Sequence, residues 1–152
     1  MAFLSSINVV ASGLTAQQLR LDVVSENITN ATTTRTENGG AYRRKMVTFE
    51  AIPEQETFRE VLARTAGTGS NEYRGNGGGV RVAQITEDPS DMKMIYDPTH
   101  PDANAEGYVE MPNVDMIKEM ADAMAATQAY SANITALNTL KAVISKGLEI
   151  GR

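Results

Sequence analysis

His100 is the single histidine of the chain, and it stands between Asp97 and Asp102. An imidazole between two carboxylates could hold a metal ion or relay a proton. Here Pro98 and Pro101 bracket it, the ligand spacing of a helix or strand is missing, and no nucleophile is nearby in sequence. The segment reads as a rigid turn rather than a site. Asp88 and Asp91 straddle Pro89-Ser90 and read the same way. Gly75-Asn-Gly-Gly-Gly79 could cradle a phosphate, but no Gly-Lys-Ser/Thr and no helix follow it, so it reads as loop. Arg43-Arg44-Lys45 could dock an acidic surface or guard a strand edge, and both readings stand. Met116, Met120 and Met124 recur at helical spacing as core or adaptable interface, not as a cofactor box. The sequence calls for no catalytic residue, no cofactor and no metal.

What must be positioned is therefore a surface. Phe3, Ile7, Val10, Leu14, Leu21, Val24, Ile28 and Ala31 follow steps of three and four, with Gln17 in the one polar slot. That is the a/d pattern of a helix packed along its length on another helix. Ser5 or Ser6 is a plausible cap, and the β-branched run Thr32-Thr33-Thr34 ends the element. A helix from Ser5 to about Thr34 would be roughly 45 Å long at 1.5 Å per residue, so it needs a long partner.

The far end of the chain supplies one. Met116, Met120, Ala123, Thr127, Tyr130, Ile134, Leu137, Ile144 and Leu148 keep the same steps, with Lys141 in the one charged slot. Asn113 is the expected N-cap and Gly151 a natural terminator. The expected fold is mainly α with a small β insert. The N- and C-terminal helices, 1–35 and 113–152, pair as an antiparallel coiled coil and form one domain. A middle β-rich domain, 36–112, is inserted at one end.

Within that middle, residues 42–52, 80–85, 92–96 and 107–111 alternate as strands of a mostly antiparallel unit. Residues 54–65 suit a short helix, and 66–79 a flexible Gly-rich loop.

Composition agrees with this division. The 152 residues are 41% hydrophobic but only 5% aromatic, with no Trp, which suits aliphatic and Met helix packing. The net charge of −5 gives nucleic-acid binding no electrostatic footing. Both terminal segments are charge-neutral, and their outer faces are written in Ser, Thr, Asn, Gln and Ala. Such faces can be enclosed without stranding a charge. Without Cys there is no disulfide or thiol chemistry. No apolar run approaches the ~20 residues of a membrane span, so no direct membrane insertion is expected. The start lacks the basic and apolar regions of a cleaved secretory signal.

Ala11 to Thr34 resembles the N-terminal signature of flagellar rod and hook proteins, through Ser12, Gly13, Leu14, Asn27, Ile28, Asn30, Ala31 and Thr34. Glu26 departs from it, standing where a small residue or Asn is usual. Arg35 to Lys45, Asp97 to Val109 and Met111-Pro-Asn-Val114 resemble the proximal rod proteins of that family, as do Glu119-Met120, Tyr130, Asn133 and Asn138. Residues 53–79 look longer than the family's pattern.

The resemblance implies a structural subunit of the proximal rod in the basal body. Such subunits are exported through the flagellar type III apparatus into the periplasm without a cleaved signal. They assemble helically around the export channel. The implied partners are other proximal and distal rod proteins, the rod-base/export-gate adaptor and copies of itself. The alternatives are another rod subunit, or a soluble helical adaptor or export chaperone.

The positions expected to form the assembly seam are Ile7, Val10, Leu14, Gln17, Leu21, Val24 and Ile28 on the first helix. On the last they are Met120, Met124, Tyr130, Ile134, Leu137, Ile144 and Leu148. Gln18, Asn27, Asn30 and Asn133 are expected to bond between subunits.

Overall fold

The structure is a computed structural model, and it describes residues 2–37, 39–52, 62, 65–66 and 78–150. Helix α1 (Ala2–Thr29) comes first. Strands β1 (Lys45–Ala51), β2 (Val80–Glu87), β3 (Lys93–Tyr96) and β4 (Tyr108–Met111) follow, and helix α2 (Met116–Ile150) closes the order. The short helix expected over 54–65 and the Gly-rich loop over 66–79 fall almost wholly outside the described residues.

α1 begins at Ala2, ahead of Ser5 and Ser6, so neither serine caps it. It stops at Thr29, earlier than the Thr32–Thr34 run. The Asn30 side chain donates to the Glu26 carbonyl at 3.0 Å, and the Thr33 hydroxyl donates to Asn30 at 3.1 Å. The Glu26 carbonyl thus accepts twice from Asn30, from its backbone amide and from its side chain, each at 3.0 Å. At the other helix Asp115, not Asn113, is the cap. Its carboxylate accepts from the Ile117 amide at 3.1 Å and its carbonyl from the Glu119 amide at 2.9 Å. Asn113 is drawn elsewhere, because its amide bonds the 88–90 turn and the Arg44 backbone.

The helices run antiparallel. Gly13 meets Asn133, Arg20 meets Asp122 and Asn27 meets Glu119, so the numbers fall on α2 as they rise on α1. The middle region is two separate two-stranded antiparallel sheets, β1–β2 and β3–β4. The β1–β2 register slips between Thr48 and Phe49, where Ala83 bulges from β2. A two-stranded ribbon is marginal alone; β1–β2 is tied to α1, and β3–β4 to the segment that leads into α2. The Ser12 hydroxyl of α1 accepts from the Val80 amide at 3.1 Å, and Lys93 of β3 donates to the Val114 carbonyl at 2.6 Å.

The core sits where the three parts meet. Val23, Val24, Tyr42, Val109, Val114 and Ala126 are buried there, with Asn27 and Glu119 among them. From Ser5 to Thr15 on α1 and from Thr127 to Glu149 on α2 no residue is buried. The pair is anchored at one end and open at the other.

Candidate functional site

The surface between the helices is built from small and polar residues. Gly13, Ala16, Arg20, Val23 and Asn27 follow each other at helical steps along α1, facing Glu119, Asp122, Ala126 and Asn133 of α2. Gly13 lets the backbones close in, since a Cβ there would lie 3.0 Å from Asn133 Nδ2. Ala16 and Ala126 are 3% and 0% exposed.

At the anchored end Asn27 is saturated. Its Nδ2 donates to the Lys45 carbonyl at 2.9 Å and to Glu119 Oε2 at 3.0 Å. Its Oδ1 accepts from the Tyr42 hydroxyl and the Lys45 amide, each at 2.9 Å. The other Glu119 oxygen accepts from Arg44 Nε at 2.6 Å. Arg44 also lies 3.6 Å from Asp88 and 3.5 Å from Asp122, and Arg20 holds Asp122 at 2.8 Å. Lys45 pairs with Glu26. One polar network therefore locks α1, α2 and the root of β1 together.

The network sets the protonation of its members. Burial pushes the Tyr42 phenol up to about 12, reinforced by the charges of Glu26, Glu119 and Glu87. For Arg44 burial acts downward, but the Glu119 bond and the surrounding carboxylates raise it further. Asp88 is held below its usual range by the Ser90 amide and hydroxyl, with Arg44 adding to the effect. The shifts of Tyr42, Arg44 and Asp88 thus all move away from neutrality, each favouring the form that makes its bonds in the hub.

His100 lies in the turn after β3, 4.0 Å from Asp102, and its Nδ1 accepts from the Asp102 amide at 3.1 Å. Among the described residues no group of three or more His, Asp or Glu converges on one point. No described helix is long and apolar enough to cross a membrane.

The expected seam residues are placed one position round from the surface that joins the helices. Of the α1 stripe only Val24 is buried; Ile7, Val10, Leu14, Gln17, Leu21 and Ile28 are half-buried at the flank. On α2, Tyr130, Leu137 and Ile144 are half-buried. Met120, Met124, Ile134 and Leu148 are 54%, 67%, 39% and 72% exposed. Gln18 is exposed, Asn30 bonds its own turn, Asn133 lies against Gly13, and Asn27 spends every polar atom inside the chain. Gln17 keeps Oε1 out of water with no partner among the described residues.

Arg20, Tyr42, Arg44 and Asp122 are the functional residues that an apolar periodicity does not find. A signal was present. Arg20 and Asp122 carry opposite charges, and Gly13, Ala16 and Ala126 share their faces at helical spacing.

Two family models match the chain: "Flagella basal body rod protein" over residues 7–35 and "Flagellar basal body rod FlgEFG protein C-terminal" over residues 105–150. They cover most of α1 and all of α2, the two halves of the paired surface, and the class they define is that of flagellar rod proteins. Flagellar basal-body rod protein FlgC of Bacillus subtilis is 50% identical over 97% of both chains. The protein of that name in Borreliella burgdorferi is 43% identical over 99% of this chain and 98% of its own length, and that in Salmonella typhimurium 38% over 100% of both. The chain belongs to the flagellar basal-body rod protein FlgC family.

The stretch 53–79, which reads as longer than the family's pattern, falls almost wholly outside the described residues.

Proposed function

We propose that this chain is a structural subunit of the proximal rod of the bacterial flagellar basal body. Subunits assemble helically into a shaft that carries motor torque and surrounds the export channel. Copies of the chain, other proximal and distal rod proteins and the rod-base/export-gate adaptor are its neighbours. It reaches the periplasm through the flagellar type III apparatus. Family membership supports the reading, since the similar proteins are named for the rod.

One observation of the structure carries it. The helices join through small and polar residues, which leaves the aliphatic and Met stripe outside. Met116, Ile117, Met120 and Met124 are 42%, 79%, 54% and 67% exposed in succession on α2. A lone helix pair would bury such a stripe, and a patch of this kind marks a surface made for association. Contacts repeating by a screw operation build a tube rather than a closed ring.

The test is a separation of function. Met120→Asp alters only the exposed stripe, so the variant should be made at normal levels and fold like the parent. It should not restore swimming to cells lacking the chain, and basal bodies from those cells should stop short of a complete rod. Full swimming by the variant, or complete rods in cells lacking the chain altogether, overturns the reading.

A further inference from the structure

α1 carries three charged side chains, Arg20, Asp22 and Glu26. Arg20 is paired with Asp122 and Glu26 with Lys45, which leaves Asp22 exposed and unpaired among the described residues. α2 carries Lys118, Glu119, Asp122, Lys141, Lys146 and Glu149. Lys118 lies near Asp115, Glu119 and Asp122 hold Arg44 and Arg20, and Lys146 pairs with Glu149, which leaves Lys141 exposed and unpaired among the described residues. Among the described residues each long helix thus keeps one free charge, and the two are of opposite sign.

They cannot meet within one chain. Arg20 stands level with Asp122, so Asp22 lies beside the start of α2 while Lys141 is roughly 20 residues further along, about 30 Å at 1.5 Å per residue. They meet if a second copy is displaced by that distance along the helix axis.

We propose that Asp22 of one copy pairs with Lys141 of a second, so displaced copy, with α1 of the first running antiparallel to α2 of the second. The inference rests on the chain being a subunit present in several copies.

The residues on either side fit this register. Heptad neighbours of Asp22 are Thr15 and Thr29, and those of Lys141 are Leu148 and Ile134. Antiparallel pairing sets Thr15 against Leu148 and Thr29 against Ile134. The Thr15 hydroxyl bonds the Ala11 carbonyl at 3.2 Å and the Thr29 hydroxyl the Ser25 carbonyl at 2.8 Å, so both threonines have their methyl groups left for contact. Leu148 and Ile134 are 72% and 39% exposed and gain cover from them. Small residues on one helix receive large ones from the other around a central ion pair, the arrangement of a seam with one polar layer setting its register.

Because the chain has no cysteine, disulfide crosslinking reads this contact directly. A tagged D22C/K141C variant is made in cells that also make the parent chain, so that rods are built, and basal bodies are isolated and mildly oxidised. The expected result is a reductant-sensitive ladder at multiples of the chain mass, absent from D22C and K141C alone. Tagged chain in basal bodies without a ladder overturns the contact while leaving the rod function standing. Dimers from either single variant, or a crosslinked band at any other mass, overturn it too. Tagged chain missing from basal bodies removes the rod function and the contact together. In cells relying on the variant alone, D22K and K141D should each cut swarm diameter at least twofold, and D22K/K141D should recover most of it. A double variant no better than the singles overturns the pairing.

Discussion

Asn27 Nδ2 donates to Glu119 Oε2 at 3.0 Å across the helix pair, with the two side chains 1% and 0% exposed. A buried carboxylate is tolerated only if its charge is paired and its lone pairs are met. Arg44 supplies the charge and Asn27 the second donor. Glu119→Ala should cost less than the roughly 3–5 kcal/mol of a stranded buried charge, because Arg44 is partly exposed and keeps Asp88 and Asp122. Asn27→Ala should cost about 1–3 kcal/mol per group left without a partner. Denaturant unfolding of the two single variants and the double measures this. Because the side chains share one network, the double should fall short of the sum by at least about 0.5 kcal/mol.

Two glycines test how closely the parts approach. Gly79 has φ +109°, and a Cβ there would fall on the Ser12 hydroxyl and lie 3.4 Å from the Val9 backbone. Gly79→Ala should destabilise by more than about 1 kcal/mol through strain alone, and removing the hydroxyl with Ser12→Ala should not rescue it. Gly13 is helical, and its nearest obstacle is the end of the Asn133 side chain, which can move. Gly13→Ala should be close to neutral, since helix propensity gains up to about 1 kcal/mol against that shift. Thermal melts of the two variants side by side give the contrast.

Order should be graded along the pair. Core residues are confined to Ala16 onward in α1 and to Ala126 and before in α2 among the described residues. In a monomer, amide exchange should be slowest over 16–29 and 116–126. The open end, 2–8 and 137–150, should exchange near the rate of a frayed helix, whereas 9–12 is covered by the start of β2. Assembly should then protect the open end most. Uniform protection along both helices of a proven monomer would show that the pair needs no neighbour.

The element plan was legible in the sequence because both helices are long and strongly periodic and the strands alternate. The face that joins the helices was not. Periodicity reports where apolar residues lie, and here they flank a contact made by Gly13, Ala16, Arg20 and Asn27 against Glu119, Asp122 and Ala126. Asn113 misled for a related reason: its type suits an N-cap, but the 88–90 turn competes for its amide and Asp115 caps instead. Glu119 could be noticed only as part of a family pattern, since nothing local says that Arg44, some seventy positions away, comes to meet it.

Tyr42 gives the hub an alkaline limit. Its phenol is raised from 10.0 to about 12, so the fold favours the neutral, hydrogen-bonded form. A group whose folded value lies above its unfolded one contributes fully below the unfolded value and loses that contribution as pH rises through the folded one. Stability should therefore hold to about pH 10 and fall toward pH 12. Asp88 has the opposite sign: held low in the fold by Ser90, it contributes above its ordinary range and loses that contribution as pH falls below it. Tyr42→Phe separates the two limits. It removes the bond to Asn27 at a cost of about 1 kcal/mol at neutral pH. It should flatten the alkaline decline, because Phe has no proton to lose, and leave the acid limb unchanged. Urea midpoints at pH 3, 7, 9.5 and 11 decide the matter: a decline of the same slope on the alkaline side in Tyr42→Phe would place the alkaline sensitivity elsewhere in the chain.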